Sequence, residues 1–444
     1  MALMVGVSGV RGLVGSTLTP SLVLEFAQAY GTLLGGGRVV LARDSRPSGE
    51  MFAAAAAAGL AAAGCHVTHL GIVMTPAVGF AIREGKFAGG VSITASHNPA
   101  EWNGVKFLDE LGVAPDAVRA REIAAIRSQG RLRSVAENFG ALTSDPNAGA
   151  RHASAVLAQV EVNTAPLKGL KVVLDSINGA GCLHTPAFLK TLGCDVIHLN
   201  AAPDGRFSHP PEPIRENLGQ LCAAVRRHRA AAGFAQDPDA DRLAIVDENG
   251  TYIGEEYTLA LAVESVLSRR RGPVAANFST SRMIDDIARR YEVNVFRTPT
   301  GESHVARAML AAGCVIGGEG NGGVIDPRVC LVRDSLSAMS LVLQRMAATG
   351  KSLSGLAADI PAYAVVKQKF ECPPERIQAA VAAVGAAFAG EKLDATDGVR
   401  VDFPSAWVQI RGSNTEPILR IIAEAPCEAD AQELIRKTRA AAGF

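Results

Sequence analysis

Residues 90–107 read Gly-Val-Ser-Ile-Thr-Ala-Ser-His-Asn-Pro-Ala-Glu-Trp-Asn-Gly-Val-Lys-Phe. The run Gly90-Val91-Ser92-Ile93 has the length and apolar character of a buried strand. Asn98-Pro99 supplies the turn chemistry that ends one. Ser96 therefore stands at the carboxyl end of a strand, where open α/β sheets present reacting residues. Asn103-Gly104 predicts a tight turn, with Lys106 on the strand that returns from it.

Outward from this stretch the same unit recurs. The first copy has a strand at 38–42, an alanine-rich helix near 50–63, a strand at 66–70, and then the strand at 90–94 with the Ser96 loop. The second has strands at 171–175, 195–199 and 233–235, a helix near 181–192, and an acidic loop at 237–241. The third has strands at 273–277, 293–297 and 314–317, a helix near 281–290, and a loop at 318–323. The βαβ order implies mostly parallel pairing with right-handed crossovers. Thr19-Pro20 predicts the start of a helix over 21–34, and Ser48 the cap of the helix that follows it. After about residue 361 the pattern changes to helix, two alternating segments and helix. The fold class is α/β: three repeated mixed α/β units and a smaller C-terminal α+β domain around a central cleft. The expected domains are 1–145, 146–249, 250–360 and 361–444.

Bulk composition agrees with several domains. The chain has 444 residues, enough for roughly three or four domains. With 48% hydrophobic but only 5% aromatic residues, the cores are built from Ala, Val, Leu and Ile. Forty-four basic residues balance forty-four acidic ones, so nothing points to nucleic acid or a membrane surface. The eight cysteines form no CxxC and no zinc-finger spacing, which predicts buried, reduced thiols. No apolar run reaches the roughly 20 residues of a membrane helix, and no basic leader precedes residue 6, so a soluble cytoplasmic protein is expected.

Three further loops carry candidate chemistry. Asp237-Pro238-Asp239-Ala240-Asp241-Arg242 places three carboxylates at alternate positions, a donor set for one hard cation. An EF-hand is excluded by Arg242 at the position that needs glycine. A phosphatase loop with Asp237 as nucleophile is a rival. Gly317-Gly318-Glu319-Gly320-Asn321-Gly322-Gly323 allows close backbone approach, and Glu319 and Asn321 suit vicinal sugar hydroxyls. Arg411-Gly412-Ser413-Asn414-Thr415-Glu416-Pro417 offers a guanidinium fork, hydroxyls and backbone N–H groups to a phosphate. It is not a Walker loop, since no Gly-Lys-Ser/Thr is present.

These three loops and the Ser96 loop, with Gly6-Val7-Ser8-Gly9-Val10-Arg11-Gly12, resemble the five motifs of the α-D-phosphohexomutase family in family order. The family interconverts hexose 6-phosphate and hexose 1-phosphate through a phosphoserine and a 1,6-bisphosphate that also serves as activator. The resemblance implies that Ser96 is the phosphoserine. It implies one Mg²⁺ per subunit bridging Asp237, Asp239, Asp241 and an oxygen of phosphorylated Ser96. It places Arg11 near the transferring phosphate, Arg242 on phosphate, Glu319 and Asn321 on sugar hydroxyls, and Arg411, Gly412, Ser413, Asn414 and Thr415 on the distant phosphate. His97 and Lys106 are the acid/base candidates, with Arg11 as electrostatic partner.

Three positions bear on the sugar. Asn321 stands where Ser is usual, as in an archaeal-type phosphoglucosamine mutase branch. Ser279 stands where phosphomannomutase/phosphoglucomutase enzymes carry a lysine. Thr300-Gly301-Glu302 resembles the Val-Gly-Asp of phosphoglucosamine mutases, and Glu302 either faces a sugar ammonium or is a solvated first-turn glutamate. Glucosamine phosphate is the expected substrate, with glucose or mannose phosphate as alternative. An aspartyl phosphatase and a silent sugar-phosphate binder are more remote. A small sugar phosphate is the expected partner of a monomer or homodimer.

Overall fold

The computed structural model describes residues 3–7, 9–412 and 418–444. The first unit forms one sheet from β1 (Met4–Gly6), β2 (Gly9–Leu13), β3 (Gly37–Arg43), β4 (Cys65–Ile72), β5 (Gly89–Ile93), β6 (Trp102–Leu108) and β7 (Leu142–Ser144), in the order β1-β2-β6-β5-β3-β4-β7. The second has β8 (Lys171–Asp175), β9 (Asp195–Leu199), β10 (Ala232–Gln236) and β11 (Leu243–Val246), in the order β11-β10-β8-β9. The third has β12 (Val274–Asn277), β13 (Val295–Thr298), β14 (Ile316–Glu319) and β15 (Gly323–Ile325), in the order β13-β12-β14-β15.

In each unit one strand is central and pairs in parallel with the two that follow it: β3 with β4 and β5, β8 with β9 and β10, β12 with β13 and β14. The repeat goes one strand further than the sequence pattern suggests. β5, β10 and β14 each pair antiparallel with the next strand, β6, β11 and β15. The intervening loops, 94–101, 237–242 and 320–322, are too short for a crossover of a dozen residues or more, so the chain turns straight back. Those loops are the ones that carry Ser96, the aspartates and Asn321.

Local chemistry explains most elements. Helix Pro20–Leu34 starts with proline, has Thr19 Oγ1 accepting from Leu22 N at 3.3 Å, and ends at Gly35 in the left-handed region. Four expectations need correcting. Asn103-Gly104 is no turn: both lie inside β6, paired with Gly12 and Arg11 of β2. Sheet pairing overrides the local preference, and glycine is required at 104 because a Cβ there would sit 2.6 Å from Val10 O and 2.7 Å from Thr94 O. The helix expected near 181–192 splits into a 3₁₀ turn, Ala180–Cys182, and helix Thr185–Thr191, which has Pro186 in its first turn. Ser48 makes no side-chain cap bond; its hydroxyl accepts from Asn103 Nδ2 at 2.9 Å instead. Finally, all eight cysteines are free but not all are buried: Cys222 is half-buried and Cys427 exposed.

One hydrophobic core runs through all three units, from Val40 and Ala42 through Val172 and Phe234 to Ile316 and Ile360. The C-terminal part is built differently. β16 (Ala364–Glu371), β17 (Lys392–Asp394), β18 (Val399–Asp402), β19 (Trp407–Gly412) and β20 (Ile418–Ala425) pair antiparallel throughout, in the order β16-β20-β19-β18-β17. Helices Pro374–Ala387 and Glu428–Ala441 pack on this sheet and enclose a separate core. Polar contacts join it to the third unit: Ser279 Oγ to Gln409 Oε1 at 2.7 Å, Thr300 N to Asp397 Oδ2 at 2.9 Å, and Arg282 N to Glu424 Oε1 at 3.0 Å. Among the described residues no helix is long and apolar enough to cross a membrane.

Candidate functional site

Ser96 sits just beyond β5 with φ of 50°, a left-handed conformation uncommon for serine. The strained turn is held from beneath by Arg46, which is fully buried. Arg46 Nη2 donates to Ser96 O and Asn98 O, both at 2.7 Å, and Nη1 donates to Pro99 O at 2.6 Å and Trp102 O at 2.9 Å. Its Nε pairs with Asp44 Oδ2 at 3.0 Å. Thr94 Oγ1 donates to that same oxygen at 2.7 Å and accepts from Ser96 N at 2.9 Å. The result is a rigid seat for one hydroxyl. Ser96 Oγ donates to Asp237 Oδ2 at 3.1 Å and lies 3.3 Å from His97 Nδ1.

The aspartate loop meets the serine loop here. One carboxylate oxygen each from Asp237, Asp239 and Asp241 lies within 4.8 Å of the others, and all three side chains are buried. Asp237 Oδ1 accepts from Asp241 N and Arg242 N, both at 3.1 Å, which closes the loop on itself. Asp239 Oδ2 accepts from Thr75 Oγ1 and Lys106 Nζ, both at 2.6 Å. Asp241 Oδ2 accepts from Arg333 Nη2 at 2.7 Å. The sister oxygens, Asp239 Oδ1 and Asp241 Oδ1, are buried with no hydrogen-bond partner among the described residues. An all-oxygen donor set with two unpartnered carboxylate oxygens fits a hard divalent cation.

The charges are arranged to match. Burial, with Asp241 and Asp239 beside it, raises the Asp237 pKa well above the carboxylate range. Burial also acts on Asp241, but Arg333, Lys106 and Arg242 outweigh it and hold that carboxylate ionised. Burial pulls on Lys106, and Asp239 and Asp241 more than restore its charge. Arg242 and burial push the His97 pKa well below its usual value, so the imidazole is neutral.

The sugar-loop candidates lie on the other side of Arg333. Glu319 Oε2 accepts from Arg333 Nη1 at 2.6 Å, and Oε1 accepts from Asn277 Nδ2 at 2.7 Å and Gly301 N at 3.0 Å. Asn321 Nδ2 is 3.5 Å from Glu319 Oε2, while its Oδ1 is buried without a partner among the described residues. Glu302 is not a solvated helix-end residue. Its Oε2 lies 2.9 Å from Arg333 Nε, and burial raises its pKa. Gly320 packs on the carboxylate of Glu256, and a Cβ at that position would fall 2.0 Å from Glu256 Oε2.

The remaining candidates surround this centre. Arg11 Nη1 donates to Asn98 Oδ1 at 2.9 Å. Arg242 lies between Glu212 Oε1, at 3.8 Å, and Asp241 Oδ1, at 3.9 Å. Glu212 Oε1 is also 3.9 Å from His97 Nε2. Arg411 and Gly412 close β19, and the charges acting on Arg411 are those of Asp397, Arg420 and Glu319. Ser8 and the loop residues Ser413, Asn414 and Thr415 lie outside the described residues. Arg46, Arg333, Glu212 and Glu256 belong to no motif that stands out in the sequence. Arg46 had a signal: Asp44-Ser45-Arg46 follows a buried parallel strand directly, where polar residues need partners.

Models of the phosphoglucomutase/phosphomannomutase family match the chain throughout: α/β/α domain I at residues 2–133, α/β/α domain II at 150–250, α/β/α domain III at 254–363, and the C-terminal domain at 365–441. A Methanopyrus kandleri protein named "Probable phosphoglucosamine mutase" is 40% identical over 435 residues, 97% of this chain and 95% of that protein. A Thermococcus kodakarensis protein named "Phosphoglucomutase/phosphomannomutase" is 39% identical over 445 residues, 98% of this chain and 97% of that protein. The crystal structure of a phosphoglucomutase/phosphomannomutase family protein from Burkholderia thailandensis superposes with a TM-score of 0.86 at 26% identity, covering 99% of this chain and 98% of that one.

Proposed function

The chain belongs to the phosphoglucomutase/phosphomannomutase family and is a phosphohexomutase, and from that premise we propose that Ser96 carries the phosphoryl group and that the sugar is glucosamine phosphate. The observation that carries the first part is the contact of Ser96 Oγ with Asp237 beside two unpartnered aspartate oxygens. A rigidly held hydroxyl with cationic side chains around it is where a phosphoryl group is best stabilised: Lys106, Arg11, Arg242 and Arg333 all act on this centre.

In the forward half-reaction a free hydroxyl of the sugar attacks the phosphorus on Ser96. The new sugar O–P bond forms, the Ser96 Oγ–P bond breaks, and Oγ leaves with the electron pair. The proton from the sugar hydroxyl goes to a base, and Oγ takes up a proton. His97, 3.3 Å from Oγ and neutral beside the free hydroxyl, takes the Ser96 proton when a phosphoryl group returns to Oγ and, so protonated, gives it back when Oγ leaves. Lys106 stays charged and orients Asp239. The bisphosphate then turns over and returns its other phosphoryl group to Ser96. Arg411 and the loop after it are the anchor for the phosphate that is not reacting. Asp237, Asp239 and Asp241 would hold Mg²⁺, which supplies Lewis-acid charge neutralisation at the phosphoryl group when bound.

For the sugar, the support is Asn321 in the glycine-rich loop and the names of the relatives at 40% and 36% identity, both "Probable phosphoglucosamine mutase". A second reading, glucose or mannose phosphate, is favoured by the relative at 39% identity named "Phosphoglucomutase/phosphomannomutase". Measuring kcat/KM on the phosphates of glucosamine, glucose and mannose decides between them. A preference above about tenfold for mannose phosphate reverses the order of the two readings. Peptide mapping of the purified protein tests the carrier: phosphate on Ser96 is expected, and phosphate on Asp237 instead would assign the phosphatase chemistry.

A further inference from the structure

Arg333 is nearly buried between the aspartate loop and the sugar loop and touches both. Its Nη2 is 2.7 Å from Asp241 Oδ2, its Nη1 is 2.6 Å from Glu319 Oε2, and its Nε is 2.9 Å from Glu302 Oε2. Its own backbone N donates to Glu302 Oε2 at 3.2 Å. The path of its side chain is built into the fold. A Cβ at Gly323 would lie 2.1 Å from Arg333 Cδ, so the glycine that opens β15 makes room for the stem. The fork fixes Asp241 by Oδ2, which Lys106 Nζ also approaches at 3.4 Å, and leaves the buried Oδ1 without a hydrogen-bond partner among the described residues. Glu319 is fixed at Oε2 by the same fork and at Oε1 by Asn277 and Gly301.

A guanidinium is planar and rigid, so its two terminal nitrogens, and the Asp241 and Glu319 oxygens that each holds, move together. We propose that Arg333 is a positioning residue that links the two half-sites: a cation at the aspartates sets the orientation of Asp241, the fork passes that orientation to Glu319, and the sugar meets a hydroxyl reader already in place. Linkage requires the reverse effect, with sugar phosphate tightening the cation by the same factor. The inference rests on the reading that the aspartates hold the cation and Glu319 contacts the sugar.

The test is calorimetric titration of the full-length protein with Mn²⁺ and with glucosamine 6-phosphate, each alone and each in the presence of the other. Expected for the unmodified chain is mutual tightening of about fivefold or more. In Arg333→Met and Arg333→Lys the affinity for each probe alone shifts, since Arg333 borders both half-sites, but the mutual factor, read as the ratio of affinities with and without the other probe, falls to near one. Lysine keeps the charge but has no planar fork, so it preserves the fold without restoring the linkage. If Arg333→Met does not fold, Arg333→Lys alone decides. Linkage that is absent in the unmodified chain, or unchanged in Arg333→Lys, overturns the inference while leaving the site reading intact. A protein that takes up neither probe overturns the site reading and the inference with it.

Discussion

The Ser96 hydroxyl donates a hydrogen bond of 3.1 Å to Oδ2 of Asp237, 141 positions further along the chain. The carboxyl ends of β5 and β10 thus meet at one reacting hydroxyl. Replacing Ser96 by alanine removes the hydroxyl that would carry phosphate but leaves the Arg46 clamp, which grips backbone carbonyls. Mutase activity should fall by roughly a thousandfold or more, with an unchanged circular dichroism spectrum and no phosphopeptide covering residue 96. Turnover near the unmodified rate would remove Ser96 from the mechanism.

Asp239 keeps one oxygen on Lys106 and Thr75 and the other unpartnered. Asp239→Asn removes the negative charge that a divalent cation needs, while an amide oxygen can still accept from Lys106. Mn²⁺ binding, followed by calorimetry, should weaken by about tenfold or more. Chelation of the unmodified enzyme should abolish turnover, and added Mg²⁺ should restore it. Equal Mn²⁺ affinity in the two proteins would take the cation away from this loop.

The aspartates and Ser96 were legible because each lies in a short contiguous loop at a strand end, where type and spacing alone suggest chemistry. Arg333 was not, since its partners Asp241, Glu302 and Glu319 come from separate elements and only folding gathers them. Asn103-Gly104 misled for the opposite reason: a strong local turn signal was overridden by pairing with β2. The return strand at Lys106 was legible, though its turn was misplaced, while the antiparallel β11 and β15 were hidden because nothing in a short apolar run tells its direction. Glu302 reads as an ordinary first-turn acid until the fold places a guanidinium against it.

Glu256 gives the fold a pH dependence. Burial raises its pKa from 4.5 to about 8, beneath Gly320 of the sugar loop. Between those values the folded chain keeps a proton that the unfolded chain has lost. The contribution of this group is therefore fully present below about pH 4.5 and is lost as the pH rises through about 8. Glu256→Gln imitates the protonated acid and still accepts from Ser281 N, which bonds Oε2 at 3.0 Å. Relative to the unmodified chain, its melting temperature should gain on the order of a few degrees at alkaline pH and little at pH near 4.5. A gain that is larger on the acid side would contradict the sign.

Arg46 tests whether the seat of Ser96 matters apart from the fold. Its five N–H groups are matched to Asp44 and to the carbonyls of Ser96, Asn98, Pro99 and Trp102. Arg46→Ala leaves Asp44 buried without its cation, a loss of about 3–5 kcal/mol, read as a lower melting temperature. Arg46→Lys is the sharper experiment. An ammonium can satisfy Asp44 but reaches only some of the carbonyls from a single point. The loop should then relax from the left-handed φ of 50° at Ser96, because the clamp on Ser96 O is gone. With Ser96 misplaced and the sugar contacts of the third unit untouched, kcat should fall by about tenfold or more while KM changes little. A lysine variant with unaltered kcat would reduce Arg46 to a stabilising residue.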